Sequence, residues 1–494
     1  MNLQTRLFRS IHISWFIAWI CGGILAGVAL AGVSHVRNFS LAWVVITFVF
    51  LTAALAYRCV LLVIFALLFG LNLGLWRGSI EQSALQSYAP LYGKTVTLQG
   101  VISTDTSYGP HGDQRIMLKS IVINGQSLHG QVWASAASHT DIQRSDTVTV
   151  SGKLSEGFGN LPASMFYAKV RSISRPQPGD VPLHIRNWFS SGIKKAIPEP
   201  ESSLGVGYLV GQRNSLPALL DNELKIVGLT HAVVASGYNL TILVVFARRA
   251  FLKKSKYLAM LSAAAMALGF MLITGFSPSM TRAGIVTALG LAAWYYGRKV
   301  HPCVLLPLAA AITALLNPAF LWGDIGWALS FAAFGGVLVL APLLHHFFWG
   351  SARVGILREI FVGTMSAQIV TLPIMIFAFG HYSPYALLAN LLVLPLIPLT
   401  MLLVFVAGIA GVLVPALAYV FGWPATLVLR YMIAIVDKIA RLPGAQGDLK
   451  FTMPILLASY VLLGVVVLFL WRKTGYKFRS FGNAKTVAKS TLYV

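Results

Sequence analysis

The chain has 494 residues, of which 57% are hydrophobic and only 11% charged. A soluble domain carries roughly 25% charged residues, so a purely soluble globular protein is excluded and an α-helical polytopic membrane protein is expected. The 38 Lys and Arg against 15 Asp and Glu give a net charge of +23. That suits basic loops on the cytoplasmic side of a membrane, anionic lipid, or nucleic acid. Cys21, Cys59 and Cys303 sit in or beside apolar runs, with neither metal-site nor disulfide spacing.

The N-terminal 1–80 holds three apolar runs, near 13–33, 41–57 and 59–76, each near the length needed to span a bilayer. The first has the look of a signal peptide. Its apolar run is too long for one and two more follow at once, so it is expected to be retained.

Residues 88–175 contain no membrane-length run. "KTVTLQGVIS", "RIMLKSIVIN", "GQVWAS", "DTVTVSGKL" and "FYAKVRSIS" alternate instead, between turns of Gly, Asp and Asn. Five strands in this length fit an all-β, OB-like barrel inserted in the membrane protein. The face of such a barrel can offer aromatics for stacking and cations for an anionic backbone. Tyr108, Trp133, Phe158 and Tyr167 are the candidate aromatics; Lys94, Arg115, Lys119, Lys153, Lys169 and Arg171 are the cations. The competing expectation puts most of the aromatics in the barrel core.

After the linker "RPQPGDVP", residues 183–197 are basic and aromatic and read as an amphipathic interfacial segment. From 200 to 472 the chain is nearly all apolar. Spans are expected near 228–247, 257–276, 279–297, 302–316, 325–343, 360–380, 385–416, 418–436 and 451–471, about twelve in all. Residues 203–212 are too short to cross and read as a re-entrant piece. Pro395 and Pro398 mark a break within 385–416. Arg6 and Arg9, "RRAFLKKSK", and the basic tail 473–494 all belong in the cytoplasm by the positive-inside rule. Three spans then put the barrel outside and twelve bring the tail back in.

Four apolar segments carry clustered polar groups, which are costly in hydrocarbon. They contribute His231, Ser236, Gly237 and Asn239; Ser277, Ser279, Thr281 and Arg282; Asp324 and Ser330; and Gln368 and Asn390. Within a single helix Ser236 and Asn239 would be i,i+3 neighbours. Asp324 and Arg282 are expected to pair. Each residue taken alone is explained as helix–helix glue. Four such segments together favour a shared polar pathway. "YGKT" at 92–95 lacks the Gly of a Walker A loop, no HExxH occurs, and no metal or cofactor is expected.

"GLTHAVVASGYNLTILV", "SPSMTRAGIVTALG", "DIGWALSFAAFGGVLVLAP" and "SAQIVTLPIMIFAFGHYSPYALLANLLVLPLIP" follow one another in this order. Together they resemble the ComEC family, the bacterial competence DNA-uptake channels, over roughly 200–420. The resemblance implies a channel in the bacterial inner membrane that passes single-stranded DNA to the cytoplasm in natural transformation. It implies no catalytic residue in this chain. Its expected partners are single-stranded DNA, lipid, a separate DNA receptor, a nuclease, and a cytoplasmic motor or single-strand-binding protein. Many relatives add a metallo-β-lactamase-like domain; this sequence shows no HxHxDH and reads as a short form. Where the family pattern often has His after Ser-Gly-x, this chain has Asn239. The rival readings are a small-solute or lipid transporter, which lacks the expected repeat symmetry, and an intramembrane serine protease built on Ser236.

Overall fold

The computed structural model describes residues 13–56, 62–109, 112–136, 141–177, 179–212, 215–233, 236–275, 278–297, 301–350 and 355–476. Arg6, Arg9, Cys59, Ser277 and the basic tail beyond Tyr476 lie outside the described residues. Eight helices among the described residues are long and apolar enough to cross a membrane, and two shorter apolar helices accompany them. The protein is a multi-pass membrane protein with a small β-barrel.

The chain divides into two compact units. The first runs to Asp180 and takes in Cys303–Trp327. Its helices are α1 (Ile13–Val33), α2 (Leu41–Ala56) and α3 (Leu62–Leu85). Small residues let α1 and α3 meet backbone to backbone: a Cβ on Gly23, Gly27, Gly70 or Gly74 would strike the opposite main chain. The matched order of these contacts makes the two helices run parallel.

The barrel follows, with β1 (Thr95–Ile102), β2 (Ser107–Tyr108), β3 (Gln114–Ile123), β4 (Gln126–Leu128), β5 (Val132–Ala136), β6 (Thr147–Glu156) and β7 (Ala163–Ser174). The five long strands are the five alternating segments, and β2 and β4 are short additions that the alternation did not reveal. The sheet order β1-β6-β7-β5-β3 closes through a β1–β3 pairing, and β5–β7 is the parallel pair. Closure leaves no edge among the long strands. Inward residues such as Leu98, Ile116, Leu118, Val150 and Leu154 are fully buried.

The first unit is completed by α11 (Pro302–Leu316) and α12 (Ala319–Gly323). The helices before them, α4 (Val181–Ala196), α5 (Glu201–Val210), α6 (Ala218–Val227), α7 (Thr230–Val233), α8 (Gly237–Leu252), α9 (Lys256–Thr274) and α10 (Pro278–Tyr295), belong to the second unit. So does most of α13 (Ile325–Gly335), with a π-helical Gly336–Leu340 and then α14 (Ala341–Trp349). The unit ends with α15 (Ile356–Phe379), α16 (Ala386–Val393), α17 (Ile397–Leu413), α18 (Ala418–Ala440) and α19 (Met453–Thr474).

Every residue of α5 is buried. Its surroundings include Val404 of α17 and Leu429 of α18 at Gly205. The one acid in this buried helix, Glu201, is answered by Arg430 of α18 at 2.8 Å. One face of the amphipathic α4 is applied to α17, where Gly192 meets Gly408 and Gly411; Trp188 and Ile185 remain exposed. The 385–416 run is divided by a 3-10 turn at Leu394–Leu396, where Pro395 removes a helical donor.

The single span drawn over 228–247 is not what forms. The chain makes α7, leaves the helix, and starts α8 afresh at Gly237. Apolar composition is continuous across that point, so hydropathy alone cannot register the break.

Candidate transport site

The break before α8 explains the polar residues around it. Ser236 has extended backbone angles and is the N-cap of α8; its Oγ accepts from Asn239 N–H at 3.4 Å. Its hydroxyl also donates to Asn239 Oδ1 at 3.3 Å. An N-cap side chain satisfies one of the amides a helix start leaves without a carbonyl. Asn239 is fully buried, and its Nδ2 donates to the carbonyl of Tyr208 at 2.9 Å. That carbonyl lies in the last turn of α5, where helix carbonyls lack intrahelical partners. One amide thus joins the end of one helix to the start of another.

The expected i,i+3 relation of Ser236 and Asn239 on a continuous helix is therefore replaced by a cap relation. His231 is on α7, not on the helix of Asn239, and is exposed. Gly237 brings α8 against α10, where a Cβ would press on Ala283. The neighbour of Ala283, Arg282, is buried at 4% exposure. Ser236, Gly237, Asn239 and the Arg282 segment are thus brought together at the junction of α5, α8 and α10.

Gln368 lies on α15, half-buried, two residues from the fully buried Ser366. Gly336, the first residue of the π-helical segment, packs on the backbone of Ser366 and Ala367. Such π segments arise where a helix accommodates an insertion, often at functional sites. Ser330 sits on α13 and is half-buried. Asn390, on α16, is 6% exposed. The side-chain oxygens of Gln368 and Asn390 have no hydrogen-bond partner among the described residues. Buried oxygens of that kind are the sort a water or a permeant group satisfies.

Asp324 stands apart. It belongs to the first unit, and its Oδ1 accepts from Trp327 N–H at 2.8 Å, capping α13. Its Oδ2 accepts from Asn160 Nδ2 of the β6–β7 loop at 3.4 Å. Both bonds stay within that unit, whereas Arg282 belongs to the second. The carboxylate expected to pair with Arg282 is committed instead to a helix start and a barrel loop. Asn160 lies 164 residues away in sequence, which is why Asp324 alone drew attention. Glu201 was the other missed residue. A single acid opening an apolar segment was the available signal, because such a charge requires a partner.

On the barrel, the named residues fall into three places. Lys153 lies opposite Thr95, Lys169 lies opposite Ser151, and Arg171 Nε donates to Ser151 Oγ at 2.8 Å. With exposed Lys94, they form a basic face over β1, β6 and β7. Lys119 is exposed on β3, opposite Val101. Tyr108 on β2 is 58% exposed, and Arg115 on β3 is paired with Asp113 at 3.2 Å. The hydroxyl of Ser135, donating to Asp113 at 3.0 Å, and then Arg115 hold that carboxyl below its ordinary pKa. The third place is Trp133, whose ring packs on Phe158 and Phe166 at 5.6 and 5.1 Å between centroids. Phe158 and Tyr167 are exposed, so the expectation of core aromatics fails there. The buried barrel aromatic is Tyr88.

Among the described residues no group of three or more His, Cys, Asp or Glu is placed to hold a metal ion. No solved structure matches the chain. ComE operon protein 3 of Bacillus subtilis (strain 168) is 22% identical over 287 residues, which make up 57% of this chain and 35% of that protein's length. The chain therefore spans about a third of that curated relative. The model of the competence protein family matches residues 208–474, from the carbonyl end of α5 to the last residue of α19. That match covers more than half of the sequence and includes the capped junction, the π-helical segment and both unsatisfied amides, and the chain belongs to the competence protein family.

Proposed function

We propose that this protein is a membrane channel carrying single-stranded DNA into the cytoplasm during natural transformation. The observation that carries the reading is the family match over a stretch in which Asn239 bridges two helix ends and the buried oxygens of Gln368 and Asn390 lack partners among the described residues. A strand must pass hydrocarbon without contacting it, and interrupted helices supply polar groups at depth only where they line protein or a cavity. The pathway we assign runs by Ser236, Gly237, Asn239 and Arg282, then Gln368, Ser330 and Asn390. His231 borders it, and Asp324 holds the barrel loop to a helix start.

In this reading twelve crossings, made by the eight long helices together with the two shorter apolar ones and with α8 and α10, place both termini in the cytoplasm and the barrel outside the inner membrane. The barrel is OB-like. Its support is the closed order of the long strands with one parallel pair, the arrangement of a five-stranded Greek-key barrel. Its basic face over β1, β6 and β7 receives phosphates as the strand arrives. The chain does not cut DNA; a separate nuclease, receptor and cytoplasmic motor complete the process. An intramembrane serine protease is disfavoured because the Ser236 hydroxyl is engaged as a helix cap.

The test is import of end-labelled DNA in a deletion strain carrying wild-type or variant protein, with surface binding scored separately. The expected result is surface binding without import in the deletion strain, restored by the wild type. Import unchanged by the deletion would sink the proposal.

A further inference from the structure

Trp133, Phe158 and Phe166 form an aromatic cluster on the outside of the barrel, and its height above the membrane helices can be read from contacts within the first unit. Phe39 N–H donates to Ser79 Oγ at 3.2 Å, so the start of α2 stands level with Ser79 of α3. Apolar side chains face outward from that level on: Leu41 is 50% exposed and Trp43 55%. The lipid-facing surface therefore begins there.

The barrel touches the helices at the same height. His129, in the β4–β5 loop, places Nε2 3.1 Å from the buried carboxylate of Glu81, two residues past Ser79. Trp322 of α12 packs its indole on Gly32 of α1, and a side chain on the next residue, Gly323, would run into the backbone of Gly159. Asn160 holds Asp324 alongside. Phe158 precedes Gly159, and Trp133 is four residues past His129. Phe158 and Trp133 thus lie close to where the apolar surface starts, and Phe166, three residues past Ala163 on β7, stands about 10 Å higher at the usual strand rise. The headgroup zone on each side of the hydrocarbon is about 5–8 Å deep.

The composition of the patch agrees with its height. Phe158 is 51% exposed and Phe166 49%. Across β3 the neighbour of Trp133 is Met117, which carries no charge. The register of β7 slips between its pairings, and Tyr167, at φ 55° and 83% exposed, is turned outward beside Phe166. The first cation on β7 is Lys169, about 10 Å further from the helix-facing loop at the usual strand rise. Lys153 of β6 stands nearly level with Phe166, since its neighbour Leu154 pairs with Met165. Aromatics and cations at one level suit the headgroup zone, where rings meet the acyl boundary and ammonium groups meet phosphates. A base-stacking platform would need open ring faces beside cations. Here the Trp133 ring is engaged edge to face by Phe158 and at a tilt by Phe166.

We propose that Trp133, Phe158, Phe166 and Tyr167 form an interfacial foot. It inserts into the headgroup region of the leaflet on the barrel's side and fixes the barrel at a set height on the bilayer. The patch is continuous with the lipid-facing surface of α1–α3, and that continuity commits it to lipid rather than to nucleic acid.

The test uses the full chain in nanodiscs with Cys21, Cys59 and Cys303 changed to Ser. Single cysteines are introduced as Phe158→Cys, Phe166→Cys and, at the far end of β7, Ser172→Cys, and labelled with bimane. Nanodiscs containing a headgroup-nitroxide phosphatidylcholine should quench the first two by about twofold, as expected of interfacial side chains, and leave Ser172→Cys unchanged. An added single-stranded oligonucleotide should not alter that quenching. Tyr167→Cys is the second reporter if either aromatic replacement prevents insertion. Equal quenching at Ser172→Cys, absence of lipid quenching, or its displacement by the oligonucleotide would each overturn the proposal.

Discussion

The barrel and the second helical unit solve the same problem, hiding polar backbone, by opposite means. In the barrel, every long strand pairs on both sides, and side chains alternate between core and water. Along β3, Ile116 and Leu118 point in while Arg115, Met117 and Lys119 point out. In the long helices of the second unit most side chains are apolar, and backbone groups are left over only where helices stop. There Ser236, Asn239 and Pro395 act. Polarity on the barrel surface is thus available for ligands, whereas much of the polarity among the helices is committed to helix ends. Mutations should divide accordingly, with stability failing first in the helices and binding failing first on the barrel.

The largest expected effect comes from Glu201 and Arg430. Glu201 is 4% exposed, while the Arg430 side chain is 65% exposed. Removing the cation leaves the buried carboxylate without its partner. Arg430→Leu should therefore lower the unfolding temperature in detergent well below that of Glu201→Gln, whose arginine still reaches water. Equal losses in the two variants would break the argument that burial of the acid sets the cost.

Asn239 comes next. Asn239→Ala leaves the Tyr208 carbonyl and the Ser236 hydroxyl short of partners, a cost of about 1–3 kcal/mol. Membrane levels should fall modestly, and import per molecule should fall further, because the junction loses its geometry. Asn239→Ser, which keeps a donor, is expected to retain more import. If Asn239→Ala imports labelled DNA as well as the wild type at matched protein level, the junction is not on the pathway.

These two sites also show what sequence could and could not supply. The five long strands were legible because period-two alternation is a property of neighbouring residues. Strands β2 and β4, of two and three residues, are too short to carry a period. The start of α8 was signalled by Ser236 three residues before Asn239, an N-cap pattern, but it was hidden inside an unbroken apolar run. Asp324 looked like a charge in search of Arg282. Its cap on Trp327 was readable from Asp-Ile-Gly-Trp, since Asp is a favoured N-cap. Its bond to Asn160 was not, because nothing local links residues so distant in sequence.

Smaller effects are expected on the barrel. Lys169→Ala with Arg171→Ala removes two exposed cations and should change stability by less than about 0.5 kcal/mol. Single-strand affinity should drop, and the slope of log affinity against log salt should shrink by roughly 0.7 for each phosphate that is no longer neutralised. Fluorescence anisotropy across a salt series checks both. An unchanged slope would remove the β1, β6 and β7 face from the DNA path.

The smallest effect concerns Arg115, a cation on the same barrel that differs from Lys169 in having an anionic partner. Asp113 takes part of its charge at 3.2 Å. The hydrogen bond from Ser135 and the pairing with Arg115 depress the Asp113 pKa below its ordinary value of about 3.9. A depressed carboxylate stabilises the fold above its unfolded pKa. That contribution is present at neutral pH and fades only as pH falls through the lowered folded value. Between about pH 5 and 8, where even unperturbed carboxylates stay ionised, the pair should therefore be insensitive to pH. Asp113→Asn keeps an acceptor for Ser135 but releases the guanidinium. If Arg115 touches DNA, that variant should bind single strands more tightly by about twofold at low salt, in keeping with the small worth of exposed pairs. The gain should vanish at high salt and in Asp113→Asn with Arg115→Ala. A gain that persists without Arg115 would mean the removed negative charge acts on the strand at long range, and Arg115 would then be a structural partner of Asp113 alone.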